Sequence, residues 1–302
     1  MELIKLNLDC LNNINDLVCC IGEFDGLHIA HKSIINIMLG ICNKNDLKSA
    51  VITFDPHPDF VLNKSNKERY ITPLSDKCVI LEEMGIDYLF VVEFNEQLMN
   101  LDYKEFYYKF LKNFNTIVAG YDFKFGKFGE GNIAKLKELH SNIVVVDEIQ
   151  YEGKKIGTRD IASYLLEGKL DKVYNLLGRH YRVKGEVITG SKIGRTIGYP
   201  TANLRLSDKY YEVKNGVYCV NVVIDDKEYL GIANFGINPS FNKIEEARFE
   251  VHIFNFNNDI YGKNITVEFI EFIRDEKKFA SVECFLAQMK KDCKYCIDKY
   301  GG

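Results

Sequence analysis

The chain has 302 residues, of which 46% are hydrophobic and 27% charged, and its formal net charge is −4. This length predicts two domains with separate cores, and the mildly acidic balance excludes a general attraction to nucleic acid or acidic membranes. The sequence has neither an apolar run of roughly 18 residues, which a spanning helix needs, nor a signal-like N-terminal segment, so we expect no membrane association.

The first half of the chain alternates short apolar runs with helix-like segments. The runs are continuously apolar, which is typical of strands buried on both faces of a parallel sheet, and they cover residues 17–21, 50–54, 88–92, 116–119 and 143–146. Helical patterns lie between them, around 31–42, 74–84, 103–111 and 133–139. This succession predicts a doubly wound α/β domain whose ligand binds beyond the carboxyl ends of the strands.

A glycine-rich turn and a pair of histidines follow the first of these strands. The candidate nucleotide-binding residues of this segment are Gly22, Phe24, Gly26, His28 and His31. Histidines three residues apart project from one helix face, and a helix N-terminus offers free N–H groups and partial positive charge. The pair can therefore bind a triphosphate and stabilise charge at its α-phosphorus. Such a short motif is weak in isolation, but the strand–turn–helix context favours this interpretation.

The character of the sequence changes near Gly178. Strand-like segments follow at 182–188, 216–224, 229–234, 248–254 and 265–273, with turn signals such as Asp225-Asp226-Lys227 between them. Short sequential strands favour a closed antiparallel barrel, and an amphipathic helix at about 281–296 is predicted to pack against it. We therefore place the domain boundary after residue 178, which gives domains 1–178 and 179–302.

Nine cysteines are scattered along the chain, most of them inside apolar runs. The one C-x-x-C pair, Cys293 and Cys296, has no second pair or histidine near it, and both thiols fall on the apolar side of the predicted C-terminal helix. We therefore predict reduced, largely buried cysteines in a cytoplasmic protein.

The segment 190–204 is the most specific stretch of the second half. Glycines allow backbone N–H groups to approach phosphate oxygens, and basic side chains bind phosphate directly; the candidates are Gly190, Lys192, Gly194, Arg195 and Gly198. Pro200 fixes the backbone where the loop ends. Thr201 and Asn203 stand two residues apart, so an extended strand presents both side chains on one face, as suits Mg²⁺.

This segment resembles the signature of riboflavin kinases, Gly-Arg-x-x-Gly-Phe/Tyr-Pro-Thr-Ala-Asn. Further along, Glu250 and His252 share one face of a predicted strand. Phosphoryl transfer to an alcohol needs a carboxylate that accepts the hydroxyl proton. The resemblance implies this role for Glu250, whereas we expect a structural part for His252. It also implies flavin-binding positions in this half, at Asn234, Arg274 and Phe279.

The first half resembles the nucleotidyltransferase domain of bacterial bifunctional riboflavin kinase/FAD synthetases, so the resemblance covers nearly the whole chain. Its histidine motif has Ala30 where the family has glycine. The resemblance implies flavin-binding residues in this half, namely His57, Pro58, Asp122, Phe123 and Phe125. The family's Ser-Ser-Thr-x-Ile-Arg motif falls at 157–162, where Ala162 replaces the terminal arginine and the candidate phosphate-binding residues are Thr158 and Arg159.

The resemblance implies a cytoplasmic enzyme of two domains. The N-terminal one would be a Rossmann-like nucleotidyltransferase domain with a parallel sheet, and the C-terminal one an antiparallel β-barrel riboflavin kinase domain with a C-terminal helix. The barrel would phosphorylate riboflavin to FMN, and the α/β domain would adenylylate FMN to FAD and release pyrophosphate, with ATP as co-substrate and Mg²⁺ as cofactor. The expected partners are riboflavin, FMN, FAD and ATP, with no nucleic acid and no membrane, in a monomer or weak homo-oligomer.

Three alternative functions remain open. The first is a riboflavin kinase alone, with a degenerate nucleotidyltransferase domain kept for structure or flavin binding. The second is a non-catalytic flavin-sensing protein, which would bind flavin without turning over ATP. The third is a nucleotidyltransferase for another phosphoester, such as a pantetheine or nicotinamide precursor.

Overall fold

The computed structural model describes residues 1–8, 16–62, 64–65, 67–190, 198–238 and 246–301. The chain divides into two compact units, Met1–Thr158 and Arg159–Gly302. This boundary precedes two helices that the sequence analysis assigned to the first domain, and the second of them packs on barrel strands. The functional division after residue 178 therefore stays a prediction.

The first unit is built on a six-stranded parallel sheet. Its strands are β1 (Glu2–Leu6), β2 (Leu17–Ile21), β3 (Lys48–Asp55), β4 (Tyr88–Glu93), β5 (Thr116–Gly120) and β6 (Ile143–Val146). All five predicted strands are confirmed. The additional strand, β1, lies at the sheet edge beside β4. Leu3 and Lys5 are exposed on one of its faces, whereas Ile4 and Leu6 on the other face are half-buried, as fits an edge strand covered on one side.

Helices cover both faces of this sheet. They are α1 (Ile29–Asn45), α2 (Pro58–Val61), α3 (Leu74–Glu83), α4 (Glu96–Asn100), α5 (Tyr103–Phe110) and α6 (Ile133–Leu139), followed by a hairpin of β7 (Gln150–Tyr151) and β8 (Lys154–Lys155). Two apolar clusters lie against the sheet, and the consecutive residues Cys19 and Cys20 belong to different ones. The strands are therefore continuously apolar because both of their faces are buried.

The strand order places a crevice at one end of this sheet. The order is β1-β4-β3-β2-β5-β6, so β2 lies between β3 on one side and β5 on the other. After β2 the chain adds β3 and β4 on one side of this strand, and then adds β5 and β6 on its other side. In open α/β sheets, ligands bind at such a switch point, beyond the carboxyl ends of the strands.

The second unit is a closed barrel with flanking helices. Helices α7 (Thr158–Glu167) and α8 (Leu170–Leu177) lead into strands β9 (Tyr181–Ile188), β10 (Ala202–Leu206), β11 (Gly216–Ile224), β12 (Lys227–Asn238), β13 (Glu246–Ile253) and β14 (Asn264–Arg274). All the barrel pairings are antiparallel, in the order β10-β13-β12-β11-β14-β9. Helix α9 (Val282–Tyr300) follows and packs against β12. The predicted barrel and terminal helix are confirmed.

Aromatic side chains fill the barrel. Phe249 and Phe269 stack with ring centroids 5.6 Å apart, and both are buried. Asp225 and Asp226 have φ angles of 48° and 61°, as a two-residue hairpin turn of the type I′ class requires. The predicted turn between β11 and β12 is therefore confirmed.

The eight cysteines in the described part of the chain are all free thiols. Six of them are buried, including Cys293 and Cys296, and Cys284 is exposed. The prediction of reduced core cysteines thus holds for these residues, while Cys10 lies outside the described ranges. Within those ranges, no helix is both long and apolar enough to cross a bilayer.

The C-terminal end of α9 is held to the barrel by one carboxylate. Glu271 on β14 accepts hydrogen bonds from Tyr295 (3.0 Å), Lys299 (2.9 Å) and Tyr300 (2.9 Å). Each such bond contributes about 1 kcal/mol net.

We expect Glu271→Ala to lower the Tm of the barrel by about 6–12 °C and to increase hydrogen exchange over the last turns of α9, as measured by calorimetry and mass spectrometry. Glu228→Ala, which removes an exposed carboxylate from β12, is the matched control and should leave both unchanged. Equal effects of the two substitutions would show that Glu271 does not hold the helix.

Candidate functional site

A cleft of about 280 Å³ opens at the carboxyl ends of β2, β5 and β6 in the first unit. Its lining includes most of the nucleotide-binding residues predicted in this half, together with two of the predicted flavin-binding residues: Gly22, Phe24, His28, His31, Asp122, Phe123 and Thr158. The structure therefore brings together residues that are up to 136 positions apart in the chain, counting from Gly22 to Thr158. The cleft lies at the switch point of the sheet, where the fold predicts a ligand.

The turn between β2 and α1 has an unusual backbone. Phe24, Gly26 and Leu27 all have positive φ angles, of 51°, 81° and 40°. A Cβ atom on Gly22 would lie 3.2 Å from the ring of Phe24, so glycine leaves room for this ring beside the cleft. Gly26 is buried and is not among the residues that line the cleft. The carboxylate of Asp25 fixes the turn by accepting from the backbone N–H groups of Gly26 and Thr72, both at 2.9 Å.

His28 and His31 form a stacked pair at the start of α1. Their ring centroids are 3.5 Å apart, and His28 is the N-cap, accepting through Nδ1 from the backbone N–H of His31 at 3.3 Å. Burial, with smaller contributions from His28 and Lys77, holds the pKa of His31 well below its usual value. His31 is therefore a neutral imidazole at physiological pH, and it can act on a nucleotide through hydrogen bonds rather than through charge.

The predicted flavin-binding residues of this unit separate into three positions. Asp122 and Phe123 border the cleft. Phe125 does not, because it is buried against Phe106, with ring centroids 5.6 Å apart, and belongs to the core beneath the sheet. His57 and Pro58 follow β3, where His57 caps α2 by accepting from the Asp59 backbone N–H at 3.1 Å.

Sequence reasoning missed the hairpin side of this cleft. Lys155 on β8 borders the cleft, forms an ion pair with Asp122 and lies over the ring of Tyr121, which donates a hydrogen bond to Glu148. The hairpin is short and charged, so it carries no periodic signal in the sequence. Lys155 therefore places a cation beside the cleft, in addition to the predicted phosphate-binding residues Thr158 and Arg159.

The two residues proposed from the altered motif have different positions. Thr158 borders the cleft, and its hydroxyl donates to the backbone carbonyl of Asp25 at 3.3 Å. Arg159 is the first residue of the second unit. Ala162, which stands where the family has arginine, is buried in α7. Ala30 borders the cleft, so its methyl group takes space that a glycine would leave open.

A buried carboxylate lies next to this cleft. Neither oxygen of Glu23 accepts a hydrogen bond from the described residues, and Oε1 lies 3.9 Å from Lys77 Nζ. Burial raises the pKa of Glu23 to about 8, against the opposing effect of Lys77. The folded state binds the proton of Glu23 more tightly than the unfolded state does. The contribution of this group to the free energy of unfolding is therefore fully present below about pH 4.5 and is lost as the pH rises to about 8.

We therefore expect Glu23→Gln, which cannot ionise, to gain stability relative to the parent as the pH rises. The difference in Tm between the two proteins should widen by about 2–4 °C between pH 5 and pH 8.5, measured by scanning calorimetry. A difference that stays constant over this range would contradict a raised pKa at Glu23.

In the second unit, a cavity of about 490 Å³ lies between the barrel, the segment 275–279 and helix α9. It is bordered by four of the residues predicted to bind flavin or act on it, namely Asn234, Glu250, Arg274 and Phe279, and by Thr201. Phe249 and Val251 point into the barrel core, so Glu250 and His252 face the other way, as predicted. Glu250 lies directly opposite Asn203 on β10 and Asn234 on β12.

The residues around this cavity hold one another in place. Asn234 Nδ2 donates to Glu276 at 3.0 Å. Arg274 is engaged by Asp292 of α9, at 2.8 Å from Nε and 2.7 Å from Nη2, and its guanidinium lies 5.9 Å from the ring of Phe279. Arg274 therefore links helix α9 to the segment that carries Phe279 at the border of the cavity.

The predicted metal-binding residues lie at the start of β10. The strand begins at Ala202, so Thr201 precedes it and only Asn203 follows the strand geometry. The amide of Asn203 lies over Gly190, where a Cβ atom would come within 2.1 Å of Nδ2, so a larger residue at 190 would displace the Asn203 side chain. A hydroxyl and an amide oxygen are hard neutral donors that fit Mg²⁺. Gly198 has a φ angle of 83°, whereas Lys192, Gly194 and Arg195 lie outside the described residues.

Thr201 borders a second cavity, also of about 490 Å³. The barrel strands contribute small and aliphatic side chains to its lining, such as Val187 and Val251. The loop after β13 contributes both aromatic and polar residues, including Phe256, Asn258 and Tyr261. Among the described residues that line these two cavities, Thr201 is the one they share. A group bound in one cavity can therefore meet a group bound in the other at Thr201.

These features define a two-domain transferase, with a histidine pair at the switch point of an α/β sheet and a carboxylate beside a Pro-Thr-Ala-Asn corner on a barrel. Residues 11–160 match the FAD synthetase family, and residues 177–299 match the riboflavin kinase family. The chain belongs to the family of bifunctional riboflavin kinase/FMN adenylyltransferases.

Individual relatives agree with this assignment. Bifunctional riboflavin kinase/FMN adenylyltransferases from Listeria monocytogenes and Bacillus subtilis are 37% and 36% identical to this chain, over 91% of it and 90% of their own lengths. A crystal structure from Streptococcus pneumoniae, described as that of a macrolide-efflux protein, is 33% identical, with a TM-score of 0.90 over 97% of this chain and 98% of its own. The two-unit fold is therefore shared along nearly the whole chain.

Proposed function

We propose that the chain converts riboflavin to FMN in its barrel and FMN to FAD in its α/β unit, with ATP as co-substrate of both reactions. The observation that carries this proposal is the position of Thr201, which borders two cavities of which one contains Glu250. The matches to both domain families favour two activities over a riboflavin kinase with a degenerate first half.

In the barrel, riboflavin would occupy the cavity beside Phe279, and ATP would occupy the cavity on the other side of Thr201. The 5′-hydroxyl oxygen of riboflavin attacks the γ-phosphorus, the bond from that phosphorus to the β-phosphate oxygen breaks, and ADP leaves. Glu250 accepts the hydroxyl proton. Gly190, Gly198 and the undescribed Lys192, Gly194 and Arg195 are proposed to cover the phosphates.

Mg²⁺ would be held in the barrel by Thr201 and Asn203 together with phosphate oxygens. The ion would neutralise charge on the phosphates during transfer. The arrangement of Asn203 over Gly190 and opposite Glu250 supports this assignment, because it fixes the amide close to the proposed base.

In the α/β unit, ATP would occupy the cleft that contains His28 and His31. A phosphate oxygen of FMN attacks the α-phosphorus, the bond to the β-phosphate oxygen breaks, and pyrophosphate leaves. The two imidazoles would donate hydrogen bonds to the phosphates. Asp122 and Phe123 border the same cleft, and His57 and Pro58 follow the neighbouring strand β3; these are the residues that we propose bind the flavin.

We further propose that the protein works in the cytoplasm as a monomer or weak homo-oligomer. The free thiols in the described residues support a reducing compartment.

The proposal is tested by supplying FMN and Mg·ATP without riboflavin and measuring pyrophosphate and FAD. Stoichiometric release of both is the expected result. Formation of FMN from riboflavin in a parallel reaction, without any pyrophosphate from FMN, would leave the kinase and reject the adenylyltransferase.

A further inference from the structure

One backbone contact fixes the corner at which the two barrel cavities meet. Thr201 lies outside β10, whose pairing with β13 begins at Ala202 opposite Val251. The residue before it, Pro200, has no backbone N–H, so its carbonyl is the one main-chain group through which it can be held. That carbonyl oxygen accepts a hydrogen bond from Nδ1 of His252 at 2.7 Å.

His252 is itself fixed on both sides. It lies on β13 opposite Ile232 of β12, and its ring makes edge contacts with Tyr199 and Phe254, with centroids 5.4 Å and 5.7 Å apart. Tyr199 in turn packs against the apolar cluster beneath α9. The imidazole therefore has little freedom to follow a displaced Pro200.

The same strand carries the proposed base. Glu250 and His252 are two residues apart, so they share one face of β13, and both border the cavity proposed for riboflavin. Glu250 thus borders the cavity proposed for riboflavin. His252, the next side chain on that face, binds the carbonyl of the peptide that joins Pro200 to Thr201. The hydrogen bond from His252 thus ties the peptide before Thr201 to the strand that carries Glu250, while Ala202 after it pairs with Val251 of the same strand.

We propose that His252 is a positioning residue for phosphoryl transfer, which sets Thr201 at the correct distance from Glu250 through the carbonyl of Pro200. This inference rests on the proposed kinase activity of the barrel. A displacement of about 1 Å at such a corner can reduce the rate about 100-fold without removing any group that touches the substrate.

Two polar substitutions of His252 test whether the position of the hydrogen-bond donor matters or only the presence of a polar side chain. In His252→Asn the amide nitrogen is attached at Cγ, as Nδ1 is in histidine, so the bond to Pro200 can re-form. In His252→Gln the nitrogen lies one carbon further out, at the place of Nε2, and cannot donate along the same line. His252→Leu removes the donor at similar volume.

We expect the glutamine and leucine variants to lower kcat for riboflavin phosphorylation by about 10- to 100-fold and to raise the Mg·ATP concentration that gives half-maximal rate. The asparagine variant should stay within about threefold of the parent, since it keeps the positioning bond. Adenylylation of FMN by the first unit of the same polypeptide is the internal control and should not change.

Three measurements decide the outcome. Parent-like kcat in the glutamine variant, or equal loss in the asparagine and glutamine variants, would overturn the positioning role. The role would also be overturned if kcat fell only in proportion to a lower Tm while the Mg·ATP concentration at half-maximal rate stayed the same. That result would assign His252 to folding alone. A parent protein that forms no FMN would instead reject the proposed kinase activity itself.

Discussion

Replacing Glu250 by glutamine is expected to lower the rate of FMN formation by about 10²- to 10⁴-fold, the usual contribution of a general base. Glutamine has almost the same shape as glutamate but cannot accept the proton of the riboflavin hydroxyl. Position 250 lies opposite Asn203 and Asn234 on the neighbouring strands, so the amide of glutamine remains among polar residues. The measurement is the initial rate of FMN formation at saturating riboflavin and Mg·ATP.

FMN adenylylation by the same variant serves as the control. The proposed adenylylation site lies among residues of the first unit, and Glu250 belongs to the second. We therefore expect FAD formation from added FMN to continue at the parental rate. Loss of both activities would argue against two separate sites, and full retention of FMN formation would remove Glu250 as the base.

Replacing His28 by alanine is expected to have the reverse effect. FAD formation from FMN should fall by about 10²- to 10³-fold, as on removal of a donor that stabilises developing charge, while phosphorylation of riboflavin continues. The reason is that His28 borders the cleft and stacks on His31 at 3.5 Å. The test is the rate of pyrophosphate release from FMN and ATP.

The control for His28 must separate catalysis from helix capping. His28 is also the N-cap of α1, and loss of a cap costs about 1 kcal/mol. His28→Asn restores a good cap but provides no imidazole. If the imidazole acts on the nucleotide, the asparagine variant will be as impaired as the alanine variant although it is more stable. Recovery of FAD formation in the asparagine variant would reduce His28 to a structural cap.

Most of the fold could be predicted from the sequence because burial leaves a strong pattern. The strands of the first sheet are covered on both faces and therefore read as continuous apolar runs, as at Leu17–Ile21. Strand β1 lies at the edge and lacks that signal. The β7–β8 hairpin has only two residues in each strand, so neither periodicity nor composition reveals that Lys155 reaches the cleft.

The candidate sites could be predicted where two functional residues lie close together on the same strand. Glu250 and His252 followed from the alternation along a strand. The prediction that His28 and His31 project from one helix face was wrong for His28, because this residue is the extended N-cap before α1 and meets His31 through the cap. In contrast, Phe123 and Phe125 lie in an irregular loop, where the sequence cannot show that the first borders the cleft and the second is buried. Contacts between distant segments, such as Asn234 with Glu276, depend on the closed barrel and have no local signature.

The central claim is that one chain performs two successive transfers from ATP to a flavin. The most direct test incubates the purified protein with riboflavin, Mg²⁺ and ATP labelled at either the γ- or the α-phosphate, and separates the flavins over time. We predict that the γ-label appears first in FMN and then in FAD, whereas the α-label appears only in FAD. Unchanged riboflavin, or labelled FMN that is never converted to FAD, would contradict the account.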